Sequence, residues 1–435
     1  MADSSFHVVV IGGGIGGLCL AQGLRKAGVP VSVYERDRTP TSRLQGYRIH
    51  VSPRGARSLR ECLPGDLWDA FEASCGTSPH SFRFLTHRME ELLLIETPED
   101  AGVGRHYSAS RGRLRQVLLA GLDDVVHFDR AFTRYEESSH ARVRAFFEDG
   151  SSADGDVLVA ADGGNSRVRK QFLPGAQRVD TGIRALGGKV VLTRATRSSL
   201  PAALLQGPTL VRAPGGRAMF LAVQEFGEPD GTNGEPNGDG SPHPRRVALR
   251  FDDESSYLMW GLSARGERSG FPSEPGQMED DALRELALKA CSGWHPDFST
   301  MIRMTDPSSV GVTTIRTSVP VEPWPSGRIT LIGDAIHSMT PYRGIGGNVA
   351  LRDASLLGSN LAAAHRGEMP LLRAIREYES AMLDYGFRAV RRSLQAAEQA
   401  HAEGALAFSV GNLSLRLVNA MPPLKARMMR GDADD

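Results

Sequence analysis

Residues 6–17 read FHVVVIGGGIGG, an apolar run that ends in a glycine-rich turn. β-Branched residues dominate the run, which is typical of a buried strand in a parallel sheet. The residues that follow, to about Lys26, are amphipathic, Gly28 stops that pattern, and residues 31–35 form a second apolar run. This order predicts a strand, a turn, a helix and a second strand, which together make one βαβ unit.

The glycine turn predicts a dinucleotide site, because it has the spacing GxGxxG inside that βαβ unit. Gly12 permits the tight turn, Gly14 lets a pyrophosphate approach the main chain, and Gly17 lets the helix pack closely on the strand. The phosphates would rest on the start of the helix, at Ile15 and Gly16, where N–H groups and the helix dipole favour negative charge. The competing interpretation is a turn with a purely structural role.

Glu35 ends the second apolar run, 18 residues beyond Gly17. A carboxylate at this place accepts hydrogen bonds from the two hydroxyls of a ribose. Because the same carboxylate disfavours a 2′-phosphate, the sequence favours FAD or NAD over NADP as the ligand of this turn.

Composition narrows the class of protein. The 435 residues are enough for two to three domains, and 51 basic side chains balance 51 acidic ones. This balance gives no attraction to nucleic acid or to an anionic membrane. The four cysteines are far apart, and no apolar stretch reaches the roughly 20 residues of a membrane span. We therefore expect a cytoplasmic protein with neither a nucleic-acid partner nor a membrane span.

Two further motifs follow apolar runs later in the chain. Residues 162–169 read DGGNSRVR, with the spacing DGxxSxxR, and residues 333–348 read GDAIHSMTPYRGIGGN, with the spacing GDAxHxxxPxxGxGxN. Together with residues 12–17, these motifs resemble the three fingerprints of the class A flavoprotein aromatic monooxygenases, the p-hydroxybenzoate hydroxylase-like family. The resemblance extends from Phe6 to about Asn360 and is weakest in the middle of the chain.

The resemblance implies an α/β fold: a Rossmann-like FAD-binding domain, an antiparallel β-sheet substrate domain and C-terminal helices. Alternating residues predict antiparallel strands at 81–85, 186–193, 217–223 and 245–251, a long loop at 227–244, a helix at 371–401 and a frayed tail at 428–435. The predicted FAD-binding domain has three parts, 1–75, 103–175 and 305–365. The predicted substrate domain comprises 76–102 and 176–304, its sheet forms the far wall of the pocket, and the C-terminal helical region is 366–435.

The resemblance also implies where FAD is bound. Asp334 would accept hydrogen bonds from the ribityl hydroxyls, and the turn from Pro341 to Asn348 would face the flavin ring. Glycines at 344, 346 and 347 leave room for that ring, and the helix that opens there can stabilise the negative charge of the reduced flavin. Asp162 would lie near the pyrophosphate, and Arg111 would reach the pyrophosphate or the ribityl chain.

Several residues carry two interpretations each. Arg48 contacts either the flavin or the nicotinamide phosphates, or is an ordinary loop arginine, and Arg184 precedes a strand that lines the substrate cavity in similar enzymes. These two are the candidate catalytic residues. Arg36 stacks on adenine or is solvated, Ala131 lies where main-chain groups receive the adenine, and Arg169 is a structural residue or a ligand contact. His337 is interpreted as structural, and no spacing of ligands indicates a metal.

The resemblance implies an FAD-dependent monooxygenase. NADH or NADPH reduces the flavin, O2 then gives a C4a-hydroperoxide, and an electron-rich aromatic or heteroaromatic small molecule is hydroxylated or epoxidised. Because the chain has a single GxGxxG, the reductant would bind transiently at a surface groove. Residues 45–64 resemble enzymes that tailor natural products. The alternatives are a flavoprotein epoxidase or reductase of isoprenoid double bonds and a flavin-containing binding protein without turnover. The protein would be a monomer or a homodimer.

Overall fold

The computed structural model describes residues 6–40, 48–77, 81–96, 104–138, 142–226, 255–266, 270–274, 276–421 and 425. The predicted loop 227–244, strand 245–251 and frayed tail 428–435 lie outside the described residues. Within these ranges, every helix is too short or too polar to cross a bilayer.

The described residues form strands and helices as follows. The strands are β1 (Val8–Ile11), β2 (Val31–Tyr34), β3 (Arg48–Val51), β4 (Ser81–Thr86), β5 (Glu91–Glu96), β6 (Tyr107–Ser110), β7 (Val126–His127), β8 (Phe132–Glu137), β9 (Val143–Phe147), β10 (Ser152–Gly155), β11 (Val157–Ala160), β12 (Arg178–Val191), β13 (Thr209–Ala213), β14 (Arg217–Gln224), β15 (Tyr257–Arg265), β16 (Gly311–Ser318) and β17 (Ile329–Leu331). The helices are α1 (Ile15–Lys26), α2 (Pro53–Cys62), α3 (Gly65–Ser74), α4 (Arg111–Leu119), α5 (Arg167–Phe172), α6 (Arg194–Ser198), α7 (Asp280–Ala290), α8 (Pro296–Arg303), α9 (Asp334–His337), α10 (Gly346–His365), α11 (Leu371–Ala400) and α12 (Ala405–Ala420).

A five-stranded parallel sheet carries all three sequence motifs. Its strand order is β17-β11-β1-β2-β7, and each of the three motif turns follows one of its strands, β1, β11 or β17. The residues of β1, β11 and β17 are all buried, as expected of strands covered on both faces. Because the carboxyl ends of parallel strands lie at the same edge of a sheet, the three turns meet there. The predicted Rossmann-like βαβ unit is confirmed.

A seven-stranded sheet forms the second layer. Its order is β16-β12-β15-β14-β13-β4-β5, and its pairs are antiparallel apart from β13 with β4. The predicted strands 81–85, 186–193 and 217–223 lie in it. β16 also pairs with β12, so this sheet continues past the predicted domain boundary at 304 into residues 311–318. The domain division as a whole stays a prediction.

The C-terminal helices pack on α10 and on the second sheet. The helix predicted at 371–401 is α11, and after Gly404 the chain turns into α12. Each residue of α12 keeps some exposure, and side chains hold this helix against the second sheet. Asn412 accepts a hydrogen bond from Arg212 at 2.9 Å, and Asn419 accepts one from the Leu94 N–H at 3.2 Å.

A buried carboxylate ties the parallel sheet to α10 and α11. Asp353, which lies in α10 and is completely buried, accepts a hydrogen bond from the Gly333 N–H at 2.7 Å. The same oxygen lies 2.6 Å from Nε2 of His337, and its other oxygen accepts from the Tyr385 hydroxyl at 2.5 Å. The position of His337 thus agrees with a structural role, because its ring is buried against Asp353 and does not line the large cavity between the two sheets.

We predict that this pair makes part of the stability depend on pH. Burial by itself lowers the pKa of His337, but the charge and hydrogen bond of Asp353, with the charge of Asp334, outweigh burial and raise the pKa above its ordinary value of 6.5. A group whose pKa is raised on folding stabilises the fold fully below its unfolded pKa. This stabilisation is lost as the pH rises through the folded pKa.

Urea unfolding of the His337→Gln variant measures this contribution. Near pH 6 its free energy of unfolding should fall about 3–5 kcal/mol below that of the wild type, because a buried carboxylate loses its partner. The difference should shrink as the pH rises above 6.5 and through the raised pKa of folded His337. His365→Gln, at the exposed end of α10, is the control. A difference that stays constant or grows with pH would contradict the prediction.

Candidate active site

A cavity of about 3540 Å³ is lined by residues of both sheets and of the C-terminal helices. Its glycine-turn end is lined by the three motif turns, within residues 12–17, 162–163 and 333–347. Its aromatic end is lined by β4, β13, β14, β15, α11 and α12. The cavity therefore joins the predicted dinucleotide site to the wall predicted for the substrate.

Most of the predicted cofactor residues line the glycine-turn end, although they come from distant parts of the chain. The structure brings them together along one surface. They are Gly12, Gly14, Ile15, Gly16, Gly17, Glu35, Arg36, Arg48, Arg111, Ala131, Asp162, Asp334, Pro341, Gly344, Gly346 and Gly347. Asn348 and Arg184 are the two predicted site residues that do not line it.

The first turn has the three spatial properties that its glycines predicted. Gly12 has a φ of +112°, and a Cβ there would overlap the Ala161 carbonyl. A Cβ at Gly17 would overlap the carbonyl oxygen of Gly12, so α1 can pack on β1 only without a side chain. A Cβ at Gly14 would meet nothing within 4 Å. The turn is thus closed towards the protein and open towards the cavity.

Glu35 is buried beside this turn and is held by the main chain. Its Oε2 accepts a hydrogen bond from the Gly13 N–H at 2.5 Å, and its Oε1 accepts one from the Asp37 N–H at 2.9 Å. A carboxylate has about four acceptor sites, so both oxygens keep capacity for hydroxyls in the cavity. Arg36 is exposed beside it, and Arg130 binds through its N–H to the Glu35 carbonyl, which places Ala131 next to this edge.

The second turn presents the carboxylate of Asp162. One oxygen accepts a hydrogen bond from the Arg167 N–H at 2.8 Å, whereas the buried Oδ1 has no partner among the described residues. Burial raises the pKa of Asp162, and hydrogen bonds from Ser166 and the main chain oppose this shift. Arg169 donates to the Ala335 carbonyl at 2.7 Å and to the Gly164 carbonyl at 2.9 Å. Arg169 thus joins the second turn to the third and does not line the cavity, which favours its structural interpretation.

The third turn places a helix N-terminus at the cavity. Residues 341–343 form a single 3-10 turn, and Gly344 follows with a φ of +64°, a conformation that favours glycine. This reversal starts α10, a helix of 20 residues, at Gly346. Gly346 and Gly347 line the cavity, so the positive end of the helix dipole is directed there.

The side chain of Asn348 does not lie where the sequence predicted it, in the turn surface that would face the flavin ring. Its side chain is buried, its Oδ1 accepts from the Ser52 N–H at 2.8 Å, and its Nδ2 donates to the His50 carbonyl at 2.9 Å. The amide therefore joins the start of α10 to β3 and α2 and does not face the cavity. In this structure Asn348 is a positioning residue, and direct cofactor contact by its side chain is not supported.

The surroundings of Arg111 show that a cofactor containing phosphate fits the cavity. Its side chain lines the cavity at the start of α4, and its buried Nε has no acceptor among the described residues. Burial lowers its pKa, and the charge of Asp334 opposes that shift. A buried donor without an acceptor is costly, so this arginine indicates an anionic group in the cavity. The open Gly14, the unpaired oxygen of Asp162 and the helix ends of α1 and α10 fit FAD at this end.

Arg48 lies in a cluster of polar side chains that the sequence did not reveal. The Arg48 Nε donates to the Ser108 hydroxyl at 2.6 Å, and burial lowers the Arg48 pKa to about 10. Beside it, His50 Nε2 lies 2.9 Å from His106 Nδ1, with the two rings stacked. Burial and the neighbouring charges of Arg48 and His106 lower the His50 pKa to about 3, so this imidazole is neutral at physiological pH. No sequence spacing links residues 50 and 106.

The aromatic end is built by alternate residues of the second sheet. Phe84, Leu210, Phe220 and Met259 line the cavity and are half-buried, whereas their strand neighbours are buried in a core on the other face. The same alternation corrects the prediction for Arg184. Ala185 lines the cavity, and Arg184 instead forms a two-pronged ion pair with Asp180, at 2.8 and 2.9 Å.

A hydrogen-bonded group joins the third turn to this end. The His401 Nδ1 lies 2.9 Å from the Ala397 carbonyl, which makes Nδ1 the N–H donor and Nε2 the acceptor. Nε2 lies 3.2 Å from the Tyr342 hydroxyl and 3.0 Å from the Ser263 hydroxyl. Burial lowers the His401 pKa to about 4, so the ring is neutral. No motif indicates this group, since its members are distant in the chain.

Comparison with known proteins identifies the family. The family described as FAD binding domain matches residues 275–393, and the one described as NAD(P)-binding Rossmann-like domain matches residues 10–71. An FAD-dependent urate hydroxylase of Klebsiella pneumoniae is 30% identical over 383 residues, which cover 86% of this chain and 85% of that protein. The chain belongs to the FAD-dependent monooxygenases. The predicted family and the predicted cofactor, FAD, are thus confirmed.

Relatives of this FAD-dependent monooxygenase differ in length. A crystal structure from Photorhabdus luminescens, of a protein assigned as an FAD-containing monooxygenase, is 33% identical. It superposes with a TM-score of 0.78 over 91% of this chain and 99% of that one, which confirms the predicted fold class. The dual O-methyltransferase/FAD-dependent monooxygenase elcB of Phaeosphaeria nodorum is 34% identical over 385 residues, 82% of this chain but 40% of that protein. The chain spans less than half the length of the dual-function relatives that it matches.

Substitution of two glycines in the first turn should affect stability in one case and cofactor binding in the other. Gly17→Ala should lower the free energy of unfolding by roughly 3 kcal/mol, because its Cβ overlaps main chain that cannot move away. Gly14→Ala should change it by less than about 0.5 kcal/mol, because Gly14 has φ −79° and ψ −178° and open space around it. FAD retention should still fall at least tenfold, since the methyl group occupies the approach to the turn. Urea unfolding and dialysis against free FAD measure the two effects, and equal losses of stability would contradict this assignment.

Arg111 provides a second prediction at this monooxygenase site. Arg111→Gln should weaken FAD binding by about 10- to 100-fold, the effect of losing one charge-assisted hydrogen bond to a phosphate. Arg113→Gln is the matched control, because Arg113 lies in the same helical turn but packs on the Phe226 ring at 3.5 Å. Fluorescence titration of the apoprotein with FAD measures both variants. An equal loss in both would show that α4 as a whole, rather than Arg111, is responsible.

Proposed function

We propose that this protein is an NAD(P)H-dependent FAD monooxygenase that hydroxylates an electron-rich aromatic or heteroaromatic small molecule. The observation that carries the proposal is the continuity of the cavity. A site for FAD built from three turns opens without interruption into an end lined by Phe84, Phe220 and Met259. A binding protein needs only the first part, whereas a hydroxylase needs a substrate held against the flavin.

The residues of the third turn support the redox part of the proposal. The chemistry that FAD supplies when bound is acceptance of a hydride and activation of O2. The N-terminus of α10 provides N–H groups and a positive dipole end beside Gly346 and Gly347, where the flavin ring is expected. Such preorganised dipoles stabilise negative charge without rearrangement during the reaction, so they favour an anionic reduced flavin.

The aromatic end supports a flat substrate. The rings of Phe82 and Phe84 lie 5.1 Å apart, and that of Phe220 lies 6.5 Å from Phe82. Aromatic side chains arranged in this way bind a planar ring through apolar contact and edge or face interactions. The relatives add support, since one is a urate hydroxylase and others combine monooxygenase with O-methyltransferase activity.

The proposal also covers the binding of the reductant, the cellular compartment and the oligomeric state. The glycine turn of residues 12–17 is assigned to FAD, so NADH or NADPH would bind elsewhere and only transiently. We propose that it approaches the flavin from the side of Arg48. A reducing, cytoplasmic compartment is supported by four free thiols, of which Cys19, Cys62 and Cys291 are buried. We assign the protein as a monomer or a homodimer.

Oxygen labelling tests the proposal. The purified holoprotein is screened with aromatic and heteroaromatic compounds for those that accelerate NAD(P)H oxidation, and the product is then analysed after reaction under 18O2. One labelled oxygen atom in a hydroxyl group is the expected result. An unlabelled reduced product would favour a reductase, an epoxide would favour the isoprenoid epoxidase, and a compound that binds without accelerating oxidation would favour a binding protein.

A matched pair of variants locates the substrate in the same experiment. Phe220→Ala removes a ring from the cavity and should raise KM for the identified substrate about tenfold, because less apolar surface is buried when the substrate binds. Phe146→Ala removes a half-buried ring that does not line the cavity and should leave KM unchanged. Equal effects of both variants would place the substrate elsewhere.

A further inference from the structure

Large apolar side chains are exposed along the helix α12. Nine large apolar side chains of the described residues are exposed, and five of them lie on α12 or at its C-cap. These five are 48% to 79% exposed, whereas the other four are scattered through the chain and none exceeds 42%. Single exposed apolar residues are normal, but a contiguous set marks an interaction surface. We call this set the α12 stripe; its members are Leu406, Val410, Leu413, Leu417 and Met421.

The spacing of the α12 stripe fits contact with one partner helix. Its members follow one another at intervals of four, three, four and four residues, which places them on one side of the helix. The first three intervals are those of the a and d positions of a heptad repeat. Side chains at these positions form a narrow seam, and a second helix laid along the seam covers it.

Own packing leaves α12 supported on one side only. The helix packs on β5, and none of its 16 residues is buried. Gly411, Leu415 and Val418 line the cavity, and Val410 belongs both to this lining and to the α12 stripe. A helix of this length is marginal in water by itself and depends on packing of its apolar face. The α12 stripe, which reaches the edge of the cavity, is the face that has no packing partner among the described residues.

Charge favours a second copy of this chain over a lipid surface. A helix that lies on a membrane carries Lys and Arg along its polar face. The one charged residue of α12 is Arg416, and it forms an ion pair with Glu90 at 2.7 Å. Two neutral seams meet without repulsion between like charges. The chain as a whole has a formal net charge of +0, which also favours association of identical copies.

We propose that the α12 stripe is the contact surface between two copies of this chain, paired helix against helix about a two-fold axis. Such symmetric dimers bring the same patch of both copies together. The midpoint of the stripe is close to Leu413, so the two copies of this residue lie near the axis. From Leu406 to Met421 the helix is about 22 Å long, and one helix face of this length is smaller than the roughly 800 Å² per partner of a standard interface. The dimer is therefore weak, with a dissociation constant in the micromolar range.

Sedimentation velocity of the holoprotein tests for the dimer. Measurements from about 1 to 200 µM bracket a micromolar dissociation constant. The wild type should change from monomer to dimer across this range. Over the same concentrations, amide hydrogen exchange at residues 405–421 should slow, because the partner covers this helix. A wild type that stays monomeric throughout, or a dimer without added protection of α12, overturns the proposal.

Charged variants at the centre of the stripe test whether it meets its own copy. Leu413→Glu and Leu413→Lys should each raise the dissociation constant at least tenfold, because two like charges would be buried side by side. An equimolar mixture of the two variants should recover the dimer, since the charges are then opposite. Leu372→Glu is the matched control, because Leu372 is an exposed leucine on α11 and should leave the dimer unchanged. FAD content and the thermal midpoint show that each variant is folded.

The remaining outcomes each decide the question. A dimer that persists in both Leu413 variants uses another surface, and a mixture without recovery means that Leu413 does not meet its counterpart. Cosedimentation of a monomeric wild type with phosphatidylcholine–phosphatidylserine vesicles, lost in Leu413→Glu, would assign the stripe to a lipid surface. Each of these results overturns the proposal. If the charged variants lose FAD, the concentration series and hydrogen exchange of the wild type still decide. No turnover is measured, so the result is independent of the proposed reaction.

Discussion

The arrangement of the site depends on the buried carboxylate of Asp353. It receives the N–H of Gly333, the ring of His337 and the hydroxyl of Tyr385. Through these contacts the end of β17, the short helix α9, α10 and α11 are fixed relative to one another. Asp334 follows Gly333 directly, and the turn of residues 339–345, which lines the cavity, follows α9. Their positions therefore derive from an interaction that lies behind the site rather than in it.

Small residues bring the N-termini of α1 and α10 to the same cavity. A Cβ at Gly16 of α1 would lie 3.4 Å from the Ala350 Cβ, and a Cβ at Gly333 would lie 3.2 Å from it. Ala350 belongs to the first turns of α10, so β17, α1 and α10 pack almost backbone to backbone at this point. Because no large side chain separates them, the N-termini of both helices lie at one cavity, and in the proposed FAD site one helix dipole would act on the phosphates and the other on the ring.

The sequence predicted the part of the site that local motifs encode. The geometry of a glycine turn after a strand is encoded locally, and the strand that precedes each motif is visible in the sequence. Because the three strands pair in parallel, the three turns meet at one edge of the sheet. The places of Asn348 and Arg184 were not predictable in this way. Asn348 contacts residues near 50, almost 300 positions away, and the face of Arg184 depends on the register of a sheet.

Parallel pairing between distant segments has a consequence for synthesis. β1 lies between β2 and β11, and β11 pairs with β17, so the sheet that contains the first βαβ unit is completed only by a strand that lies about 320 residues further along the chain. At a typical elongation rate of 5–20 residues per second, about 16 to 64 seconds separate the synthesis of β1 from that of β17. During that interval the nascent chain keeps an unpaired strand edge beside the ribosome, where chaperones act on such edges. High contact order of this kind favours slow, late assembly of the cofactor site.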